Sequence, residues 1–225
     1  TMEINYTGSD VLSSALAMNK VVSKQIWLEL GLRTPEYELL NDHSDWEFVI
    51  KRLEKVVVKP VSGGSSLGIS MTNNPNELKS YYSKALFYGS EVFAERCIEG
   101  VEFSTGIIGD EVLPTLQLET PRKFFDYEAK YIDSETKMIC PPNLHEDKLA
   151  ELENLILSAY QGLRCKGLAR VDVIQDVSGD FFLLELNTIP GMTNHSFVPS
   201  AMEATGINYD EMLIKILKSE IEYIK

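Results

Sequence analysis

Two carboxylates and an amide, Asp172, Glu185 and Asn187, stand in otherwise apolar, strand-like sequence, within Arg170-Val171-Asp172 and Glu185-Leu186-Asn187-Thr188-Ile189-Pro190-Gly191-Met192. Leu168–Gln175 alternates and is rich in β-formers, Phe181–Leu186 is apolar, and Ser178-Gly179 between them is a two-residue turn signal, so the stretch predicts a β-hairpin. With Ser178 and Gly179 as the loop, Asp172 faces Glu185 and Arg170 faces Asn187, all on one face because strand side chains alternate. Facing acids repel unless a cation lies between them. Mg²⁺ suits the position, because it takes hard oxygen ligands from one or two carboxylates and completes its shell with water or phosphate. The competing reading is an acid pair neutralised by Arg170 alone. Asn187 favours the metal, since it adds a third oxygen where a plain hairpin more often carries an apolar or β-branched residue.

A second cluster runs Val56-Val57-Val58-Lys59-Pro60-Val61-Ser62-Gly63-Gly64-Ser65-Ser66-Leu67-Gly68-Ile69. A β-branched run ends at Lys59, and a Gly/Ser loop follows before strand character resumes. Such a loop exposes successive N–H groups and hydroxyls without side-chain bulk, which is how a chain wraps phosphate oxygens. Lys59 would add a fixed positive charge. The pattern is not a Walker loop, because no Gly-Lys-Ser/Thr leads into a helix. The competing reading of this loop is a flexible hairpin turn.

The elements that must hold these residues fall into two groups. Val11–Leu30 reads as one helix, with Ser9 or Asp10 as cap and Pro35 as the stop. Trp46–Leu53 reads as a short helix, strands flank the Gly/Ser loop, Asn76–Phe87 is a helix after Pro75, and Glu91–Ile98 is a strand. Gly100 is read as a hinge. Beyond it, Glu102–Ile108 and Glu111–Leu118 form a hairpin turned by Gly109-Asp110. A long loop follows, then a helix over Glu146–Leu163, the acidic hairpin, and a last amphipathic helix over Tyr209–Ile221. The loop from Pro121 to Ser134 has the length at which loops are usually functional, and it is read as a lid.

In this order, Tyr6-Thr7-Gly8-Ser9, Ala17-Met18-Asn19-Lys20, Lys59-Pro60, Gly64-Ser65-Ser66-Leu67-Gly68, Glu95-Arg96, Phe125-Asp126-Tyr127-Glu128-Ala129-Lys130-Tyr131, Arg170-Val171-Asp172 and the run from Glu185 to His195-Ser196 resemble the D-alanine–D-alanine ligase family of ATP-grasp enzymes. The resemblance covers nearly the whole chain. It implies an α+β, ATP-grasp fold in which two α+β lobes hold a nucleotide between them. Residues 1–20 would be a linker, 21–100 the small lobe, and 101–225 the large lobe with the metal site. Thr1 precedes Met2, and the first motif matches a segment that in the family follows a whole first domain, so the chain looks like a carboxy-terminal portion. In the family that domain supplies a helix amino terminus and an acidic residue to the first D-alanine.

The same resemblance assigns roles. Glu95 would take the adenine amino group, with Arg96 contributing backbone where the family commonly has Lys, and Ile98 would complete the slot. Glu102 would take the ribose hydroxyls. Lys20 and Lys59 would hold phosphates under the loop containing Gly64, Ser65 and Ser66. Two Mg²⁺ ions, replaceable by Mn²⁺, would sit on Asp172, Glu185 and Asn187. Arg170 and the backbone at Gly191 would face the oxyanion, Ser196 and Lys130 would bind the second substrate's carboxylate, and Ser65 with Tyr131 would close the loop. ATP and D-alanine are then the expected partners, in a homodimer of the full-length protein. A relative using D-lactate as second substrate, or a nucleotide-binding fragment inactive without its first domain, are the alternatives. Tyr131 argues against the D-lactate type.

Composition agrees. Among 225 residues, 21 Lys+Arg against 34 Asp+Glu give a net charge of −13 with no basic run, so nucleic acid and anionic membrane are poor partners. No apolar stretch reaches transmembrane length. Cys97, Cys140 and Cys165 are widely spaced and odd in number, which argues against a disulfide framework or a zinc site and points to a reducing cytoplasm. His195 is read as a structural hydrogen-bonding group, and His43 and His145 as solvated.

Overall fold

The computed structural model describes residues 6–64, 67–119 and 137–223. The amino-terminal helical stretch is two helices, α1 (Val11–Met18) and α2 (Lys20–Glu29), rather than one. Asn19 breaks it. Its backbone is extended (φ −88°, ψ 97°), and its side chain accepts the Val22 N–H at 3.0 Å, so the residue that ends α1 caps α2. Asp10 caps α1 by accepting the Ser13 N–H at 2.9 Å. Helix α2 ends at Glu29 with Leu30 as its cap, where the sequence places the end of the helical stretch, and Gly31 follows with φ +74°.

The first sheet is antiparallel, in the order β1 (Tyr37–Leu40), β4 (Val92–Arg96), β2 (Val56–Pro60), β3 (Ser70–Thr72). Helices α3 (Trp46–Leu53) and α4 (Pro75–Ala85) cover one face, where Val56, Val58, Val92 and Ala94 pack on Leu53, Leu78, Tyr82 and Ala85. Strand alternation then turns Val57, Lys59, Phe93 and Glu95 to the opposite face. That face looks toward the second sheet. Trp46–Leu53 coincides with its expected span, and α4 begins with Pro75 at its first turn behind the Asn74 cap.

The second sheet is also antiparallel, in the order β7 (Lys137–Ile139), β6 (Glu111–Glu119), β5 (Gly100–Ile108), β8 (Leu168–Asp176), β9 (Phe181–Asn187). Helix α5 (Glu146–Gly162) covers one face, burying Phe103, Val171, Val173, Phe181, Leu183 and Leu186 against Leu152, Ile156 and Tyr160. Trp27 of α2 is wholly buried in this same cluster and donates its indole N–H to the Ala159 carbonyl at 3.2 Å. Helix α2 is thus anchored to the second sheet through Trp27, while its Val21 packs on Val61 and Phe93 beside the first. Helices α6 (Phe197–Ala204) and α7 (Tyr209–Tyr223) cover one end of the other face, on Ile108, Leu113 and Leu168. Arg170, Asp172 and Ile174 occupy the remainder of that face, opposite the first sheet.

Two details depart from expectation. Gly100 is not a hinge loop but the first residue of β5, paired with Asp176. Pro114 lies inside β6 where the pairing with β5 shifts between Thr105 and Ile107, an irregularity that accommodates a residue lacking an N–H. No helix among the described residues is long and apolar enough to cross a membrane.

Cys97, Cys140 and Cys165 are free thiols. Burial pushes the Cys165 thiol up to about 11, overriding a favourable contact from Ser9. Its thiolate fraction at pH 8 is therefore on the order of 10⁻³, and the thiolate is the nucleophile. Cys165 is expected to resist iodoacetamide at pH 8 and to react after denaturation; peptide mapping with label at Cys165 in the native protein would contradict this.

Candidate active site

The site is built on the β8–β9 hairpin. Asp172 pairs with Glu185 and Arg170 with Asn187, the register expected from the sequence. The route to that register is different. The Asp176 N–H bonds the Asp180 carbonyl and the Gly179 N–H bonds the Asp176 carbonyl, so the loop is three residues, Val177 to Gly179, not two. Asp176 organises it, accepting the Ser178 and Asp180 N–H groups at 2.9 Å each. The longer loop shifts the pairing by one residue, to Val173 with Leu183. A β-bulge between Asp172 and Val173 shifts it back.

Leu184 is the extra residue of that bulge, and it decides the chemistry. Were the same residues paired without a bulge, strict alternation would send Glu185 and Asn187 to the core face with Phe181 and Leu183, and Leu186 to the cleft. With the bulge, Leu183 and Leu186 both pack in the core, while Leu184 and Glu185 both line the cleft. Neighbouring chain holds the bulge in place. The Leu183 N–H bonds the Arg33 carbonyl at 2.9 Å, and its carbonyl accepts the Thr34 hydroxyl at 2.7 Å.

The acids are already neutralised by protein cations. Arg170 grips Asp172 bidentately, with Nε and Nη2 each 2.9 Å from a carboxylate oxygen, and Ser104 donates to Asp172 Oδ1 at 2.7 Å. Glu185 lies 3.5 Å from Lys20 Nζ and 3.9 Å from Arg170 Nη2. Lys20 also donates to the Gly63 carbonyl at 2.8 Å, tying α2 to the Gly/Ser loop. The Asn187 side-chain oxygen accepts the Ile189 N–H at 2.9 Å.

On the facing sheet, Glu95 is sandwiched between two ammonium groups. Its Oε1 pairs with Lys59, and its Oε2 lies 2.8 Å from Lys24, which also donates to Thr34 Oγ1 at 2.6 Å. For Glu95, burial disfavours the charge, but the two lysines outweigh it and hold the carboxyl below its ordinary range. Burial likewise opposes the charge on Lys59, yet Glu95, Glu185 and Glu102 prevail and raise its pKa. At Lys24 burial wins over Glu95, and the pKa falls below the ordinary lysine value.

Between the sheets lie two cavities that share Lys59, Glu102 and Leu184 in their walls. One, of about 770 Å³, is lined by Lys20, Lys59, Gly63, Gly64, Asp172 and Glu185. The other, of about 1670 Å³, is lined by Glu95, Arg96, Ile98, Met71, Ile174 and Leu184 among others. The first therefore gathers lysines, loop and acids, and the second is the larger and borders the strand Val92–Arg96. Gly191 and Ser196 sit close together at the start of α6. A Cβ on Gly191 would stand 2.8 Å from Ser196 Oγ, which accepts the Thr193 N–H at 3.1 Å. Arg170 stacks over the ring of Phe197, the next residue, with its guanidinium carbon 5.2 Å from the centroid. His195 is exposed, and His145 pairs with Asp147 at the surface.

Ser65, Ser66, Lys130, Tyr131 and the Pro121 to Ser134 segment lie outside the described residues. Lys24, Thr34, Ser104 and Leu184 were not singled out from the sequence. The only available signal was a lysine and a threonine in otherwise helical and turn sequence, which does not distinguish buried from solvated groups.

Comparison with known proteins agrees with this geometry. Residues 26–218 match the family model described as D-ala D-ala ligase C-terminus. The chain is 45% identical over 217 residues to the D-alanine–D-alanine ligase of Saccharophagus degradans, covering 96% of this chain and 69% of that protein. It is 42% identical to the ligase of Nitrosococcus oceani, covering 99% and 71%. In three dimensions it is similar to the D-alanine–D-alanine ligase of Bacillus anthracis complexed with ATP, with a TM-score of 0.84, 30% identity, and coverage of 98% and 71%.

Proposed function

The chain belongs to the D-alanine–D-alanine ligase family, and from that premise we propose how its cleft joins two D-alanines with ATP to supply the dipeptide of peptidoglycan precursors. The observation that carries this reading is the facing of Asp172 and Glu185 in a cleft whose other walls bring Lys20, Lys59 and the Gly63–Gly64 backbone. We assign the first sheet to a small lobe ending near residue 100 and the second to a large lobe, with the nucleotide between them. The base would lie in the larger cavity beside Ile98 and the Arg96 backbone. Since the Glu95 carboxylate is engaged by two lysines, Glu95 would need its remaining lone pairs or its backbone to meet the adenine.

The donor set fits a divalent metal: two carboxylates on paired strands, with an amide oxygen two pairs along on the same face. Asp172, Glu185 and Asn187 would hold Mg²⁺, which when bound neutralises phosphate charge as phosphoryl transfer proceeds. The residues of the chain do the rest. A carboxylate resists amine attack because oxide is a poor leaving group, so the first D-alanine must be phosphorylated. Lys20 and Lys59 hold the transferring phosphate in place. Arg170, oriented by Asp172 and stacked on Phe197, presents its guanidinium where the second amine's attack develops an oxyanion. Gly191 and Ser196 border the same corner, and the absence of a side chain at Gly191 leaves room for Ser196 Oγ to turn toward a substrate carboxylate. Closure of the loop by Ser65 and Tyr131, and binding of the second substrate's carboxylate by Lys130 with Ser196, belong to the same proposal. Three free thiols suit a reducing, cytoplasmic setting.

Calorimetric titration with Mg-ATP is expected to show one site with a dissociation constant of roughly 1 μM to 1 mM, the usual range for enzyme substrates. ADP release by the full-length protein is expected to require D-alanine, with D-lactate a poor second substrate. Absence of nucleotide binding would sink the cleft assignment. ADP release indifferent to D-alanine would sink the ligase reading.

A further inference from the structure

Lys24 is a wholly buried ammonium that lines neither cavity, yet it is tied to both halves of the cleft. It lies 2.8 Å from Glu95 Oε2 on the first sheet, and through Thr34 it reaches the Leu183 carbonyl beside the bulge that aims Glu185. Burying an ammonium is costly even when paired. An apolar residue in the same space would pack as well, so stability alone gives little reason for it. The charge count suggests a reason. Glu95 alone against Lys59 would be a neutral pair, and a neutral pair has little pull on phosphate. With Lys24 on its second oxygen, the single carboxylate is shared between two cations and the triad Lys24–Glu95–Lys59 is left net positive; Glu185 and Glu102 also act on Lys59, with Lys20 and Arg170 standing against Glu185. Lys59 is the member of the three that lines the cavity shared with Lys20, Asp172 and Glu185.

We propose that Lys24 is a positioning residue that occupies half of Glu95, so that Lys59 keeps a net positive charge and a fixed direction toward the nucleotide's phosphates. The inference rests on the ligase reading, in which Lys59 meets phosphate. Lys24 itself touches no substrate; it acts through Glu95.

The test separates charge delivery from mere packing by varying the ligand's phosphates. Binding of Mg-ATP, Mg-ADP and adenosine is measured by calorimetry for the wild-type chain and for Lys24→Met. The variant is expected to lose roughly tenfold or more in affinity for ATP, about 1.4 kcal/mol, less for ADP, and no more than about twofold for adenosine. Because Glu95 also borders the base, the double variant Lys24→Met/Glu95→Gln is judged by its ATP-to-adenosine affinity ratio, which is expected to return toward that of Glu95→Gln alone, since Lys59 is then released from its counterion. Should Lys24→Met fail to fold, Lys24→Gln, which keeps a donor for Thr34 and Glu95, carries the same comparison. Equal losses for ATP and adenosine, no loss at all, or a double variant whose ratio stays as low as that of Lys24→Met would each overturn the inference. Failure of the wild-type chain to bind either nucleotide would instead count against the ligase reading itself.

Discussion

Turnover by Glu185→Gln is expected to fall by on the order of 10²–10³-fold, the usual consequence of removing one electrostatic group from a preorganised site. Its melting temperature should stay within a few degrees of wild type. Glu185 is partly exposed at the cleft, and its cationic neighbour Lys20 keeps the Gly63 carbonyl as a partner, so the loss leaves no buried charge stranded. Asp172→Asn should behave differently. Asp172 is the bidentate partner of Arg170, and both are buried. Removing its charge leaves the buried guanidinium facing only the partly exposed Glu185, 3.9 Å away, and breaking a buried pair in this way costs about 3–5 kcal/mol. The two variants are therefore expected to share a loss of activity and to differ in stability. ADP-release assays and thermal unfolding on both would check this, and full turnover by Glu185→Gln would remove Glu185 from the metal site.

Gly100→Ala is expected to destabilise the protein by roughly 3 kcal/mol or more, in the class of overpacking against rigid structure. A Cβ at residue 100 would lie 1.8 Å from the Gln175 carbonyl oxygen and 3.1 Å from Asp176 Cα. Both are backbone of the partner strand, so no rotamer change relieves the clash. Strand β5 or the hairpin loop would have to move, and the loop is fixed by Asp176. For a chain of this size the loss corresponds to a drop in melting temperature of about 6–12 °C. Differential scanning calorimetry decides it; an unchanged transition would mean that β5 begins later than Gly100.

Much of the architecture was legible because its signals are local. Trp46–Leu53 shows its period and its Asp45 cap within ten residues, and Gly109 takes the left-handed conformation that its hairpin requires. The pairing of Asp172 with Glu185 was legible too, but two local misjudgements compensated: the loop is one residue longer than read, and the bulge at Leu184 is one residue extra. Nothing in a run of Phe, Leu and Glu marks where a bulge falls, because it is set by the Arg33 and Thr34 backbone and hydroxyl nearly 150 residues earlier. The same holds for Lys24, whose partner Glu95 is 71 positions away in sequence and whose burial no periodicity reports. Strand β1 and helix α6 are short, and Asn19 breaks a helix that reads as continuous because its neighbours are all compatible with one.

The bulge also gives this hairpin a spare residue. Losing one residue from the loop between Asp176 and Asp180 leaves the pairing beyond it untouched. Losing Leu184 would remove the bulge, and plain alternation would then keep Glu185 in the cleft and Leu186 in the core. Losing Leu186 finds no such slack: Asn187 would take its place against Val171 and turn into the oil of the core. In related sequences, single gaps are expected as far as Leu184 and not beyond.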